Sequence, residues 1–263
     1  MESSGNMDLT AGKLHGQVAV ITGGGRGIGR AIAIAFAREG MRVVCSGRNL
    51  VEIERTVSEI AQESGESIPV RADVTSQANM EMLMEVAVQR YGQLDIALLN
   101  AGTLPKRTPV QELPAQVWKE CIDTNLTGAF FGMRAAIPHL RRSGGGKILC
   151  IGSGAATSAP QGSAAYAASK AGLTALIRSA ARELRAFEIA VNELQPGPTA
   201  TAMHGVIVRD VHDVDIANVP IERRGSPGEW FKLPATVASL ALFIARLPNN
   251  GPTGQIFSLN SFH

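Results

Sequence analysis

A chain of 263 residues, 45% hydrophobic and 18% charged, is long enough to bury a sizeable core and lies far from the disordered class. Its net charge of +2 argues against nucleic acid or an anionic membrane as partner, and the basic pairs Arg141–Arg142 and Arg223–Arg224 read as solvated surface. Cys45, Cys121 and Cys150 are scattered and form no CxxC pair, which fits a reducing compartment, the cytoplasm, better than a disulfide framework.

Residues 1–13 are polar, carry no apolar signal core and read as a flexible arm; residues 14–263 read as one domain. Val18–Thr22 is a β-rich run, followed by a glycine-rich turn and a helical stretch over about 26–39. Arg42–Ser46 is a second strand, and Asn49 is placed to cap the next helix, which carries Val51, Ile53, Val57 and Ile60. A third strand (Ile68–Arg71), a helix over about 77–91 and a fourth strand (Leu94–Leu99) follow. One long helix is expected over about 116–142, with Gly128, Gly132 and Pro138 as weak points. Gly144–Gly146 break it before the strand Lys147–Ile151; a helix fits Ser163–Phe187, and Ala190–Leu194 is a sixth strand. A polar, irregular segment runs from about Pro196 to Leu233 before a final helix (Ala235–Arg246) and strand (Gln255–Leu259). Repeated βα units imply an α/β fold: a doubly wound, Rossmann-type parallel sheet of about seven strands with helices on both faces. The long insertion, around 199–233, reads as a substrate lid.

The turn Thr22-Gly23-Gly24-Gly25-Arg26-Gly27-Ile28-Gly29 leaves the first strand and opens the first helix. Glycines let the backbone turn sharply and approach a pyrophosphate, and the helix N-terminus offers N–H donors and a favourable dipole. The spacing is Gly-x-x-x-Gly-x-Gly and lacks the Lys-Ser/Thr ending of a triphosphate loop. The alternative for this turn taken alone is a structural βα loop with no ligand.

Tyr166 and Lys170 stand four residues apart on the same predicted helix face. A phenol is a poor acid–base catalyst at neutral pH, and a nearby ammonium favours the phenolate, which suits a general acid/base. Ser153, at the end of the fifth predicted strand, lies where strand ends line the crevice of a doubly wound sheet, so its hydroxyl can hold a substrate oxygen. The second strand ends without an acid: Gly47 stands near where an NAD-selective carboxylate would sit, and Arg48 follows. Arg48, with Arg26 as a second candidate, can bind a 2′-phosphate, which points to NADP(H) in preference to NAD(H).

With these residues in this order, the chain resembles the short-chain dehydrogenase/reductase family from about Gly16 to Leu259, in the compact branch similar to 3-oxoacyl-[acyl-carrier-protein] reductases. Thr22-Gly23-x-x-x-Gly27-x-Gly29 matches its cofactor turn, which brings Gly25 and Ile28 into the cofactor set. Asn100-Ala101-Gly102 matches its Asn-Ala-Gly motif, and Asp73, beside Val74, matches the acidic residue near the adenine. Pro196-Gly197, with Thr199 and Thr201, matches the segment that meets the nicotinamide. Asn125, Ser153, Tyr166 and Lys170 match the catalytic set. The resemblance implies that Tyr166 is the acid/base and that Lys170 lowers its pKa and holds the nicotinamide ribose. It further implies that Ser153 orients the substrate oxygen and that Asn125 helps hold a water in a proton relay to Lys170. For Asn125 the alternative is a mid-helix polar residue bonded to a neighbouring strand, and Asn100 reads as chiefly structural. A homotetramer or homodimer is also implied, with the helices over 116–142 and 163–187 at an interface. The ending Leu259-Asn260-Ser261-Phe262-His263 departs from the family's Asp-Gly-Gly stretch.

His204 and His212 lie near Asp210, Asp213 and Asp215, but their spacing fits no standard metal site, and none is expected. His139, after Pro138, reads as a cation suited to a helix C-terminus. Trp118 and Trp230 read as packing residues, Trp230 alternatively as a pocket wall. A small-molecule carbonyl or alcohol is the expected substrate, a 3-oxoacyl thioester or a sugar, polyol or cyclic ketone. A non-catalytic dinucleotide sensor on the same fold is the alternative class.

Overall fold

The computed structural model describes residues 14–201, 203 and 231–260, so the arm, the residues His204, His212, Arg223, Arg224 and Trp230, and residues 261–263 lie outside it. Seven strands, β1 (Val18–Thr22), β2 (Arg42–Gly47), β3 (Glu66–Arg71), β4 (Ile96–Leu99), β5 (Gly146–Ile151), β6 (Ile189–Gln195) and β7 (Ile256–Ser258), form one sheet in the order β3-β2-β1-β4-β5-β6-β7. Every pairing is parallel. The chain reverses its direction of progress across the sheet between β1 and β4, where a doubly wound sheet opens a crevice at its C-terminal edge.

Both faces are covered, which is why the central strands read as unbroken apolar runs. Along β1, Val18 and Val20 join one core with Met80, Met133 and Leu173, while Ala19 and Ile21 join the other with Phe36, Ile53 and Val237. The first core lies under α3 (Gln77–Tyr91), α5 (Gly128–Arg142) and α7 (Ala164–Leu184); the second lies under α1 (Gly27–Arg38), α2 (Leu50–Gln62) and α8 (Pro234–Arg246). Phe36, wholly buried, anchors the second core; its truncation to alanine would cost about 3–5 kcal/mol. Pro69 is tolerated in β3 because that strand is an edge, paired only with β2. Ser76 caps α3 by accepting from the Asn79 N–H at 3.3 Å, and Gly92 ends it in the left-handed conformation. Asn49 occupies the corresponding position of α2 without a side-chain capping bond.

The long helix expected over 116–142 is three pieces in continuous winding: α4 (Ala115–Ile122), a π turn over Asp123–Thr127, and α5. The irregularity falls at Asn125 and not at the glycines or Pro138, which α5 carries inside it. Gly128 and Gly132 are sites of close approach: a Cβ would stand 2.8 Å from Val74 Cγ2 at the first and 2.7 Å from Leu99 Cδ2 at the second. His139 is also not the cation expected at the end of α5. It is buried, and desolvation with the neighbouring Arg142 lowers its pKa; Arg141 and Arg142 carry the positive charge there. A short helix, α6 (Ala155–Ser158), follows β5 and was too brief to carry a periodic signal. Among the described residues no helix is long and apolar enough to cross a membrane.

Candidate active site

The β1–α1 turn lies at the reversal point of the sheet. Gly23 (φ +68°) and Gly27 (φ +56°) take left-handed backbone conformations that other residues rarely adopt. A Cβ on Gly29 would lie 2.3 Å from the Gly23 carbonyl oxygen, so the helix entry and the strand exit touch through backbone alone. Asn100 latches this turn to the end of β4: its Nδ2 donates to the carbonyls of Thr22 (2.9 Å) and Gly23 (3.2 Å). Thr22 Oγ1 completes the latch by accepting from the N–H groups of Asn100 (3.0 Å) and Ala101 (3.1 Å). Asn100 therefore has the bracing part expected of it, and Thr22, not among the expected site residues, shares it.

The first turn of α1 has neither an acidic residue nor a side-chain cap. Uncapped N–H groups, a positive dipole end and a side-chain-free approach fit the pyrophosphate of a dinucleotide. Around the turn, Gly25 faces Glu52, with room too small for a Cβ (2.9 Å), and Ile28 packs on the second core. Arg26 is exposed and pairs loosely with Glu52 at 3.8 Å. Arg48 is exposed just beyond the end of β2, and a Cβ on Gly47 would meet only Ile53, at an ordinary 3.6 Å. At the end of β3, Asp73 Oδ1 accepts from the N–H (3.0 Å) and hydroxyl (2.8 Å) of Thr75, while Val74 packs over Gly128. Gly102 lies against Asn125, where a Cβ would be 3.2 Å from Oδ1. From the far end of the chain, Pro196 and Gly197 leave β6, Thr199 Oγ1 donates to the Gly197 carbonyl (3.1 Å), and buried Thr201 packs against Gly27. Thr199 and Lys232 form a parallel bridge, so the chain around the expected lid leaves and returns at one place.

Ser153 follows β5, and its Oγ accepts from the Ala155 N–H at 3.2 Å. Tyr166 and Lys170 lie one turn apart on α7, and the Ser153 side chain is close enough to the Tyr166 phenol to act on its pKa. Lys170 is 5% exposed, and its Nζ donates to the Ile151 carbonyl at 2.7 Å and sits 5.8 Å from the Tyr166 ring centroid. Burial raises the Tyr166 pKa, and the Ser153 side chain opposes that rise. Burial lowers Lys170 to about 8, against opposing influences from Cys150, Glu193 and Cys121.

Asn125 is buried inside the π turn. Its Oδ1 accepts from the Thr103 N–H (2.7 Å), and its Nδ2 donates to the Thr103 carbonyl (2.9 Å) and Ser169 Oγ (3.1 Å). The side chain thus ties the loop after β4 to α7, with Cys121 Sγ a further acceptor at 3.4 Å. A second polar group was not expected from the residues. Glu193, on β6, receives Thr174 Oγ1 (2.7 Å) and Gln195 Nε2 (2.8 Å), and Gln195 Oε1 receives Asn260 Nδ2 (3.2 Å). The alternation of β6 gave no sign of it, because both of its faces are buried.

The sheet, with its glycine turn at the reversal point and the Ser153–Tyr166–Lys170 group at the strand ends, defines an α/β protein of the dinucleotide-binding, doubly wound kind. Residues 17–212 match the family model described as short chain dehydrogenase, and the chain belongs to that family, whose members are oxidoreductases of alcohol and carbonyl groups that use a nicotinamide dinucleotide. It is 33% identical over 250 residues to a 7alpha-hydroxysteroid dehydrogenase of Escherichia coli K12, covering 94% of each chain. It is 32% identical to a 3-oxoacyl-[acyl-carrier-protein] reductase of Synechocystis sp. PCC 6803, covering 94% of this chain and 96% of that one. The crystal structure of a dehydrogenase/reductase from Sinorhizobium meliloti 1021 superposes with a TM-score of 0.79 at 33% identity, covering 93% of both chains.

Proposed function

We propose that the chain interconverts a carbonyl and a secondary alcohol with NADP(H), using Tyr166 as the acid/base. The observation that carries this reading is the meeting of Ser153, Tyr166 and Lys170 at the end of β5, beside a glycine turn suited to a dinucleotide. When bound, the nicotinamide supplies or accepts the hydride. In the reducing direction Ser153 Oγ holds the carbonyl oxygen, and the Tyr166 hydroxyl gives its proton to that oxygen as the carbon gains hydride. Burial keeps the phenol protonated, which suits it to act as the acid in that direction. The buried Lys170 ammonium would hold the nicotinamide ribose and steady the phenolate left behind. Asn125 holds the loop after β4 against α7 and so keeps the floor of the site in place.

The preference for NADP(H) is supported by the absence of an acid at the end of β2 and by the two exposed guanidiniums, Arg48 and Arg26, near that end. Asp73 and Val74 would flank the adenine; Pro196, Gly197, Thr199 and Thr201 would flank the nicotinamide. The substrate is proposed to be a cyclic ketone or a 3-oxoacyl thioester, as the names of the two relatives suggest. Residues 199–233 are proposed as the lid that chooses between them, supported by the clasp between Thr199 and Lys232. The three cysteines are free and buried, which supports a reducing compartment, the cytoplasm. Two apolar surfaces support a homodimer or homotetramer: Trp118 (42% exposed) and Phe130 (42%) on α4 and α5, and Phe243 with Phe257 and Ile256 on α8 and β7. Two isologous faces would give a tetramer, one a dimer. The exposure of Trp118 also replaces the packing role expected for it.

The test is NADPH oxidation against a panel of cyclic ketones and 3-oxoacyl thioesters, repeated with NADH. Turnover with at least one carbonyl, with kcat/KM favouring NADPH, is expected, and Arg48→Ala should shrink that ratio by weakening NADPH alone. Binding of the dinucleotide without turnover of any carbonyl would instead mark a sensor.

A further inference from the structure

Lys170 shares the C-terminal edge of the sheet with a second buried charge. Glu193 has no exposed surface and stands in the register of Cys150, one strand over from the backbone that Lys170 grips. Taking a carboxylate out of water costs several kcal/mol unless hydrogen bonds and an opposite charge compensate it. Thr174 and Gln195 supply the hydrogen bonds, one to each oxygen, and both donors are neutral. Thr174 also lies one turn beyond Lys170 on α7, and its Oγ1 is 3.1 Å from the Lys170 carbonyl oxygen.

Gly152 explains how the carboxylate fits. A Cβ at that position would fall 1.9 Å from Glu193 Oε1, so the acid fills the space in which any other residue would place its side chain. Glycine at 152 and glutamate at 193 are therefore a matched pair, immediately behind Ser153. The titratable groups that act on Lys170 are Tyr166 on its own helix, Cys150 from β5, Glu193 from β6 and Cys121 from α4. Burial raises both thiols, Cys150 to about 12, and raises the phenol, so these three remain neutral at ordinary pH. Glu193 is the carboxyl group of the set, with one donor on each of its oxygens.

We propose that Glu193 is a positioning residue for the reaction: its carboxylate, fixed by Thr174 and Gln195 in the space left by Gly152, keeps the buried Lys170 ammonium charged at working pH. This rests on the role given above to Lys170. Desolvation alone drives that ammonium toward neutrality, and an opposite charge within the same low-dielectric pocket opposes the loss. Asn260, through Gln195, couples the group to the C-terminal segment, and a Cβ on Gly154 would lie 2.8 Å from its Nδ2, next to Ser153.

The experiment is a pH titration of Lys170 by NMR of the lysine ε-carbon in isotope-labelled protein, with the signal assigned by its loss in Lys170→Ala. The native midpoint is expected near 8. In Glu193→Gln it should fall on the order of one pH unit, and the alkaline limb of the kcat profile should move with it. A folded Glu193→Gln protein with an unmoved midpoint overturns the proposal. Should that variant not fold, the double variant Gly152→Ser with Glu193→Ala refills the same space without a charge and must show the same fall. The titration uses neither substrate nor cofactor. A shifted midpoint in a protein inactive toward every carbonyl would therefore refute the oxidoreductase reading and leave the part played by Glu193 standing.

Discussion

Between β1 and α1 the crevice is walled by backbone: Gly23 and Gly29 bring main chain to main chain, Gly27 makes room for Thr201, and the side chains of Thr22 and Asn100 hold that backbone still. Between β5 and β6 it is floored by side chains: Ser153, Tyr166, Lys170, Thr174 and Glu193 converge from three elements. The first region asks for shape and for unoccupied N–H groups, properties that one short run of sequence can hold. The second asks for charges at chosen places in a dry interior, which only the folded sheet can assemble. A pocket that must embrace one large anion and also move a proton needs both kinds of wall.

Breaking the side-chain floor should have the largest effect. Tyr166→Phe removes the transferable proton and should lower kcat on the order of a hundred- to ten-thousand-fold while leaving the dinucleotide Kd, read by NADPH fluorescence, within a few-fold of native. Near-native turnover in that variant would remove the acid/base assignment. Breaking the backbone wall should do the reverse. Gly29→Ala forces a methyl to within 2.3 Å of the Gly23 carbonyl, so the turn must open, and dinucleotide affinity should fall at least about tenfold, roughly 1.4 kcal/mol. Unaltered affinity would mean that the turn is not the pyrophosphate seat.

Smaller changes sharpen the contrast. Gly47→Asp meets no steric obstacle, since the nearest atom to the new Cβ is 3.6 Å away. It should keep the fold and reduce the NADPH to NADH ratio of kcat/KM by about tenfold through repulsion of the 2′-phosphate. A ratio that stays put would place the phosphate elsewhere. Least of all, Thr22→Val should cost about 1 kcal/mol of unfolding free energy, because it deletes the acceptor for two N–H groups at a strand end while preserving volume. Chemical denaturation would read this, with kcat almost unchanged; a stability equal to native would show that water replaces the latch.

The same contrast explains what could be read from the residues. The succession of strands and helices, the glycine turn and the Tyr166–Lys170 spacing follow from local rules of period and turn chemistry, and they reappear in the fold with most boundaries displaced by a residue or two. The π turn did not announce itself, because its cause is the set of bonds from Asn125 to Thr103 and Ser169, far along the chain. The neutral state of His139 depends on its burial against a neighbouring element and on Arg142, and no pattern of one helix records the first of these. Glu193 was invisible for a stronger reason. An acid in a strand normally marks a solvent face, and only the gap at Gly152 makes its burial intelligible. The pair at positions 152 and 193 is a signal that could have been sought, had the two strands been known to be neighbours.

The clasp between Thr199 and Lys232 has a consequence for descent as well as for structure. Ala200 N–H donates to the Lys232 carbonyl and Lys232 N–H to the Pro198 carbonyl, both at 2.9 Å, so the excursion begins and ends at a single stitched point on the body of the protein. Lengthening or shortening a closed excursion costs only a slowly growing entropy, about 0.6 kcal/mol for each doubling. Changing the length or chemistry of the chain between the two stitches is therefore expected to leave Tyr166 and the glycine turn in place. On the lid reading proposed above, a lineage built this way can change what it acts on while inheriting how it acts.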